Sequence, residues 1–138
     1  MPIAFIAVIA ALLYLAAAGL QLTHMAQRRQ RLSKAVMVMA VAALIGHGMV
    51  TWDALNMEQG VSLGFYRALS LSFLAVNIAC VAALLKRPLQ NLLIGLFPLS
   101  ALAIVVATLG PDTAHARSDL SPGILLHIGS SILAYSIL

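Results

Sequence analysis

Two histidines inside apolar segments are the residues of this sequence whose type and position could do chemistry. His47 lies in the second of five apolar segments and His127 lies in the fifth, and neither segment carries any other acid or base. An ionisable side chain in a membrane-spanning segment is costly, so by default it marks a functional site. The two imidazoles are therefore the first candidates for a binding site.

Both histidines lie at one depth below the face that the charge pattern assigns to the outside. Each is about five residues, or roughly 7–8 Å, from the outer end of its segment. A shared ligand requires such a common depth, and neutral imidazole is a good axial ligand for haem iron. We therefore expect His47 and His127 to face each other as iron ligands, with haem as the cofactor. Glycines beside them would let a flat macrocycle approach, namely Gly46, Gly48 and Gly129.

Other chemistry has less support. A membrane histidine can also serve packing, by hydrogen-bonding to a hydroxyl or a carbonyl of the next helix. Zinc lacks a third nitrogen or sulfur ligand at this level, and His24 and His115 are expected to be solvated. No catalytic triad, carboxylate pair, HExxH motif or phosphate loop is present, so we predict no enzyme activity. Cys80, the single cysteine, is expected to be a buried apolar residue.

The composition is that of a membrane protein. Of the 138 residues 62% are hydrophobic and only 9% are charged, which is too little polar surface for a soluble domain. The net charge of +4 comes from bases at the ends of apolar segments rather than from a patch interleaved with aromatic residues. The expected partner is thus the lipid bilayer, and no nucleic acid is expected.

The apolar segments predict an all-α fold. It is an integral membrane bundle of five transmembrane helices in a single domain over residues 1–138. The first segment has 20 residues, enough for one bilayer crossing, and a signal peptide is disfavoured because no base precedes Arg28. The predicted spans are about 3–22, 35–52, 68–85, 89–109 and 122–138.

The charges predict the orientation of the bundle. Six of the eight bases fall in the two loops that are then cytoplasmic, and all four acids fall in the two external loops. This bias follows the positive-inside rule and places the amino terminus outside. The apolar part of the last span, Ile124 to Leu138, is fifteen residues, which is short for a crossing. We therefore expect a truncated last helix, either in a fragment of a longer protein or covered there by a partner.

Small and polar residues predict the faces on which the helices pack. Ser70 and Asn77 are seven residues apart on one face of the third span, and Asn77 is expected to make an interhelical hydrogen bond. Pro98 is expected to kink the fourth span. On the second span the packing face is Ala40, Ala43, His47 and Thr51.

Three segments carry a resemblance to a known family. The runs LLHIGSSILAYSIL, GFYRALSLSF and LIGLFPLSAL resemble helices of the cytochrome c assembly membrane proteins, the CcsA/HemX/YpjD-like family. The resemblance covers nearly the whole chain, but only the first half to two thirds of the family's usual domain. His127 matches the family histidine by motif, and His47 matches by its place in an early span. The family's tryptophan-rich external segment is missing, since Trp52–Asp53 is not that motif.

The resemblance implies a haem-binding or haem-handling protein of the bacterial inner membrane that acts in cytochrome c assembly. Such a multi-pass protein would bind haem and pass it on, with other assembly proteins as partners. The alternative is a cofactor-free membrane scaffold or transport-linked subunit, and a proton relay through the same histidines is a third hypothesis. The scaffold would offer one polar face to a partner helix, consisting of Ser70, Asn77, His127, Ser131 and Tyr135.

Overall fold

The computed structural model describes residues 2–28, 32–55, 64–110 and 122–137 of the chain. These ranges contain helices and no strand, so the predicted all-α fold is confirmed. The five helices are α1 (Pro2–Ala26), α2 (Lys34–Leu55), α3 (Phe65–Leu84), α4 (Leu92–Leu109) and α5 (Pro122–Ile137).

Helices α1 to α4 are long and apolar enough to cross a membrane, and α5, at 16 residues, is shorter than all of them. α1 continues to Ala26, past the predicted end of its span at residue 22, and α4 begins at Leu92 rather than at residue 89. The chain turns at 85–91 between α3 and α4. α4 runs on through Pro98, which lacks the N–H that an interior helical residue donates.

Helix α1 packs against α2 and α4 and makes the most extensive contacts of the bundle with them. α3 packs against α2 and α4, and among the described residues α5 packs against α3 alone. Small side chains dominate the buried face of α1 and let the helix backbones approach closely, as is usual in membrane bundles. That face recurs every three or four residues and consists of Ala7, Ala10, Ala11, Tyr14, Ala17, Ala18 and Gln21.

The glycines beside the two histidines have different surroundings. A Cβ atom built on Gly46 would lie 3.1 Å from the Cβ of Ala10 and 3.7 Å from Ile6 Cγ2. A Cβ atom on Gly48 or on Gly129 would meet no atom within 4 Å. Gly46 therefore sets the close approach of α2 to α1, while the other two glycines are not needed for packing within the described bundle.

We expect Gly46→Leu to lower the free energy of unfolding by about 1–3 kcal/mol, because the added side chain forces α1 and α2 apart. Gly48→Leu is the matched control, since a Cβ atom at that position meets no atom within 4 Å. Unfolding of both variants in mixed detergent micelles, followed by circular dichroism, measures the difference. Equal losses in the two variants would contradict this assignment of Gly46.

Candidate functional site

His47 is fully buried in the interior of the bundle, with 0% of its surface exposed. Ala43 and Ala40, one and two turns earlier on α2, are buried too, and Thr51, one turn later, is nearly so. The predicted packing face of the second span is thus confirmed. This face directs the His47 imidazole between α1 and α3 rather than towards lipid, because its hydrogen-bond partners come from those two helices.

Both ring nitrogens of His47 have a partner. The hydroxyl of Tyr14 on α1 lies 3.2 Å from Nδ1, and the hydroxyl of Ser70 on α3 lies 2.9 Å from Nε2. A neutral imidazole donates through one nitrogen and accepts through the other. Tyr14, His47 and Ser70 therefore form one continuous hydrogen-bonded chain across three helices, whichever ring nitrogen carries the proton. We call these three side chains the buried triad.

Tyr14 is the member of the buried triad that sequence reasoning missed. It is fully buried, and its ring meets the His47 ring edge-on with the two centroids 5.8 Å apart. The centroid of the Phe97 ring of α4 lies 5.0 Å from that of Tyr14. The signal was present in the sequence, since Tyr14 is the one tyrosine of α1 and shares its face with alanines. A tyrosine among alanines on a packing face needs a partner for its hydroxyl.

A second polar contact joins α3 to α4. Asn77 Nδ2 donates to Ser100 Oγ at 2.6 Å and to the carbonyl oxygen of Phe73 at 2.7 Å. Ser100 in turn donates to the carbonyl oxygen of Leu96 at 2.8 Å. The interhelical hydrogen bond predicted for Asn77 is therefore confirmed, and it uses the same face of α3 as Ser70.

Gln21 is buried near the carboxyl end of α1. Its side chain is 0% exposed, and neither its Oε1 nor its Nε2 has a partner in the described part of the chain. His24, one turn later, is half-buried and its Nδ1 also has no partner there. His24 is thus less solvated than the sequence predicts.

His127 has a different environment from His47. It lies on α5 with its side chain exposed. Its backbone carbonyl oxygen accepts hydrogen bonds from the hydroxyls of Ser130 at 3.0 Å and Ser131 at 2.8 Å. Ser130 and Ser131 thus satisfy their own helix, and the imidazole is the polar group that α5 presents in its first two described turns.

The structure does not bring His47 and His127 together. α5 packs on α3 and makes no contact with α2 in the described ranges, and the two ring nitrogens of His47 are already bonded. Neither ring nitrogen of His47 is therefore available to an iron ion in this arrangement, and haem ligation by the exposed His127 stays a prediction. Within the described residues there is also no group of three or more His, Cys, Asp or Glu that could hold a metal ion.

The polar face predicted for a partner helix is likewise divided. Ser70 and Asn77 are buried within the bundle, while His127 and Tyr135 are exposed on α5. The two pairs belong to different surfaces, because α3 turns its polar residues towards α2 and α4. The other histidine considered at sequence level, His115, lies outside the described residues.

The fold and the composition define the class of the protein, which is a multi-pass helical membrane protein with a buried, hydrogen-bonded histidine. Comparison of the chain with protein-family models, with curated proteins and with solved structures finds no match. Its function must therefore be inferred from the site and from the resemblance of its segments.

We expect Tyr14→Phe to destabilise the protein by roughly 0.6–2 kcal/mol, because it removes one interhelical hydrogen bond and leaves His47 Nδ1 without a partner. Tyr135→Phe is the matched control, since Tyr135 is 83% exposed and the same atom is removed. The free energies of unfolding in mixed micelles are the measurement. A loss in Tyr14→Phe no larger than in the control would show that the buried triad adds no stability.

Proposed function

We propose that this chain is a haem-handling protein of cytochrome c assembly in the bacterial inner membrane, with His127 as the ligand to haem iron. The observation that carries the proposal is the exposure of His127 on a helix with a single described neighbour. The resemblance of LLHIGSSILAYSIL to the family helix supports the assembly role. The proposed protein binds haem and passes it on to other assembly proteins.

The surface around His127 suits a porphyrin. Ile124, one turn earlier on α5, is 47% exposed, and Leu126 is 74% exposed. Apolar side chains of this kind cover the faces of a macrocycle and keep water from it. When bound, haem supplies the iron to which the neutral imidazole of His127 coordinates.

His47 has a positioning role in this proposal. Its two hydrogen bonds hold α1 and α3 at a fixed distance from α2, and α3 is the helix on which α5 rests. The buried triad thus supports the helix that carries His127 without touching the haem. Any further protein ligand to the iron would come from a residue other than His47, such as His115, which lies outside the described residues, or from a partner protein.

The test is the absorption spectrum of the full chain purified in detergent from haem-replete cells. We expect a Soret band that is lost in His127→Ala, because the variant lacks the iron ligand. His24→Ala is the matched control and should keep the band. His47→Gln should also keep it once circular dichroism shows that the variant is folded. A folded but colourless parent protein would refute the proposal.

A cofactor-free scaffold is the second candidate, and the one-sided packing of α5 favours it. Leu133 and Tyr135 are 58% and 83% exposed, so this helix offers an apolar surface to a partner helix. If the scaffold hypothesis is right, we expect a photo-crosslinker at position 135 to capture one membrane protein reproducibly. The same group at Val38, which is 67% exposed on α2, should not capture it. Crosslinking at position 135 together with a colourless parent protein would favour the scaffold over haem handling.

A further inference from the structure

A cavity of about 140 Å³ opens at the end of the bundle where α1 and α3 begin and α2 and α4 end. Its polar wall consists of Thr51 and Asp53 of α2, Arg67 and Ser70 of α3, and Thr108 of α4. Its apolar wall includes Ile3 and Val50. By the charge pattern of the loops this end faces outwards, and neither His127 nor any other described side chain of α5 lines the cavity. We call this cavity the outer pocket.

Two hydroxyl groups of the outer pocket, those of Ser70 and Thr51, do not follow the usual hydrogen-bonding pattern of the described helices. Six other hydroxyls, including that of Thr108 in the same wall, donate to a carbonyl oxygen three or four residues earlier in their own helix, namely those of Thr23, Ser72, Ser100, Thr108, Ser130 and Ser131. Ser70 bonds instead to His47 on the neighbouring helix. Thr51 Oγ1 has no hydrogen-bond partner among the described residues, although the residue is only 7% exposed. Ser70 and Thr51 both line the outer pocket.

A buried hydroxyl without a partner needs a reason, because leaving it unpaired is costly. The usual remedy for a threonine in a helix is the carbonyl oxygen one turn earlier, and Thr108 in the same wall uses it. Thr51 does not, so its O–H remains available to an acceptor from outside the chain. Such an acceptor would have to enter the outer pocket as far as the buried residues Thr51 and Ser70.

The charges of the wall limit what the acceptor can be. Arg67 and Asp53 supply one positive and one negative side chain. Two amino ends and two carboxyl ends of helices meet here, so the helix dipoles oppose one another. A multiply charged anion therefore gains little from this wall. A guanidinium has five N–H donors in a planar fork that matches the two oxygens of a carboxylate, which favours a single carboxylate.

The size and the apolar wall limit the rest of the ligand. An engineered cavity of about 150 Å³ in another protein holds benzene, so a cavity of about 140 Å³ suits a molecule of roughly six non-hydrogen atoms. Ile3, Val50 and two alanines, Ala54 and Ala107, give a short hydrocarbon chain an apolar surface. We propose that the outer pocket binds a short-chain monocarboxylate, with its oxygens towards Arg67, Thr51 and Ser70.

Such a ligand also sets the direction of hydrogen bonding in the buried triad. If Ser70 donates to the carboxylate, its oxygen accepts from His47 Nε2–H, and Tyr14 then donates to Nδ1. Ligand binding in the outer pocket therefore determines that the buried Tyr14 hydroxyl donates its hydrogen bond to His47. The proposal is independent of haem, since His127 takes no part in it.

Butyrate, with six non-hydrogen atoms, is the probe for the full chain in detergent micelles. Trp52 reports binding, because it is the single tryptophan and stands between two residues of the wall, Thr51 and Asp53. We expect a saturable change of its fluorescence with butyrate. Thr51→Val removes one hydroxyl at nearly constant volume and should raise Kd about tenfold, the effect of one hydrogen bond to a charged group.

Thr108→Val is the matched control, since it makes the same substitution in the same wall. The O–H of Thr108 already donates to the carbonyl oxygen of Ile104 at 2.7 Å, so Kd should stay within about twofold. Butyramide, which has the same shape without the charge, should bind at least about tenfold more weakly because it loses the guanidinium contact. The proposal is overturned by a titration that does not saturate, by equal losses in the two valine variants, or by equal affinity for butyramide.

Discussion

A neutral imidazole enclosed by helices must find a donor and an acceptor there, because hydrocarbon offers neither and an unsatisfied polar group costs several kcal/mol. His47 finds them on two different helices, Tyr14 of α1 and Ser70 of α3. This requirement fixes the relative rotation of three helices at once, since each must turn a particular residue inwards. The alanine face of α1 and Gly46 of α2 then allow the close approach that the hydrogen bonds need.

The helical fold follows from the sequence because its causes are local. Runs of apolar residues are long enough to cross a bilayer, and the spacing of small and polar residues indicates the packing faces of α2 and α3. The packing face of α2 and the interhelical bond of Asn77 were predictable for the same reason. The depth of each histidine in the membrane, counted from the helix ends, stays a prediction.

The pairing of side chains across helices was not predictable in this way. Equal depth says nothing about the direction in which a side chain points around its helix, nor about which helices are neighbours. His47 and His127 share a depth in the sequence, yet one faces α1 and α3 and the other lies on a helix that does not reach α2. The hydrogen-bond partners of His47 are instead Ser70 and Tyr14, and Tyr14 lies in an apolar run of the sequence.

The attachment of α5 to one neighbour has a consequence for the mobility of its histidine. Among the described residues α5 packs against α3 alone, whereas each of the other four helices packs against at least two helices. Because α5 has fewer buried contacts to break, it separates from the bundle at a lower free energy. The direction of the His127 ring is then governed by whatever covers the free side of α5, while the ring of His47 is held from both sides by its own chain. The His47 ring is therefore fixed by hydrogen bonds within the chain, whereas the orientation of the His127 ring depends on its surroundings.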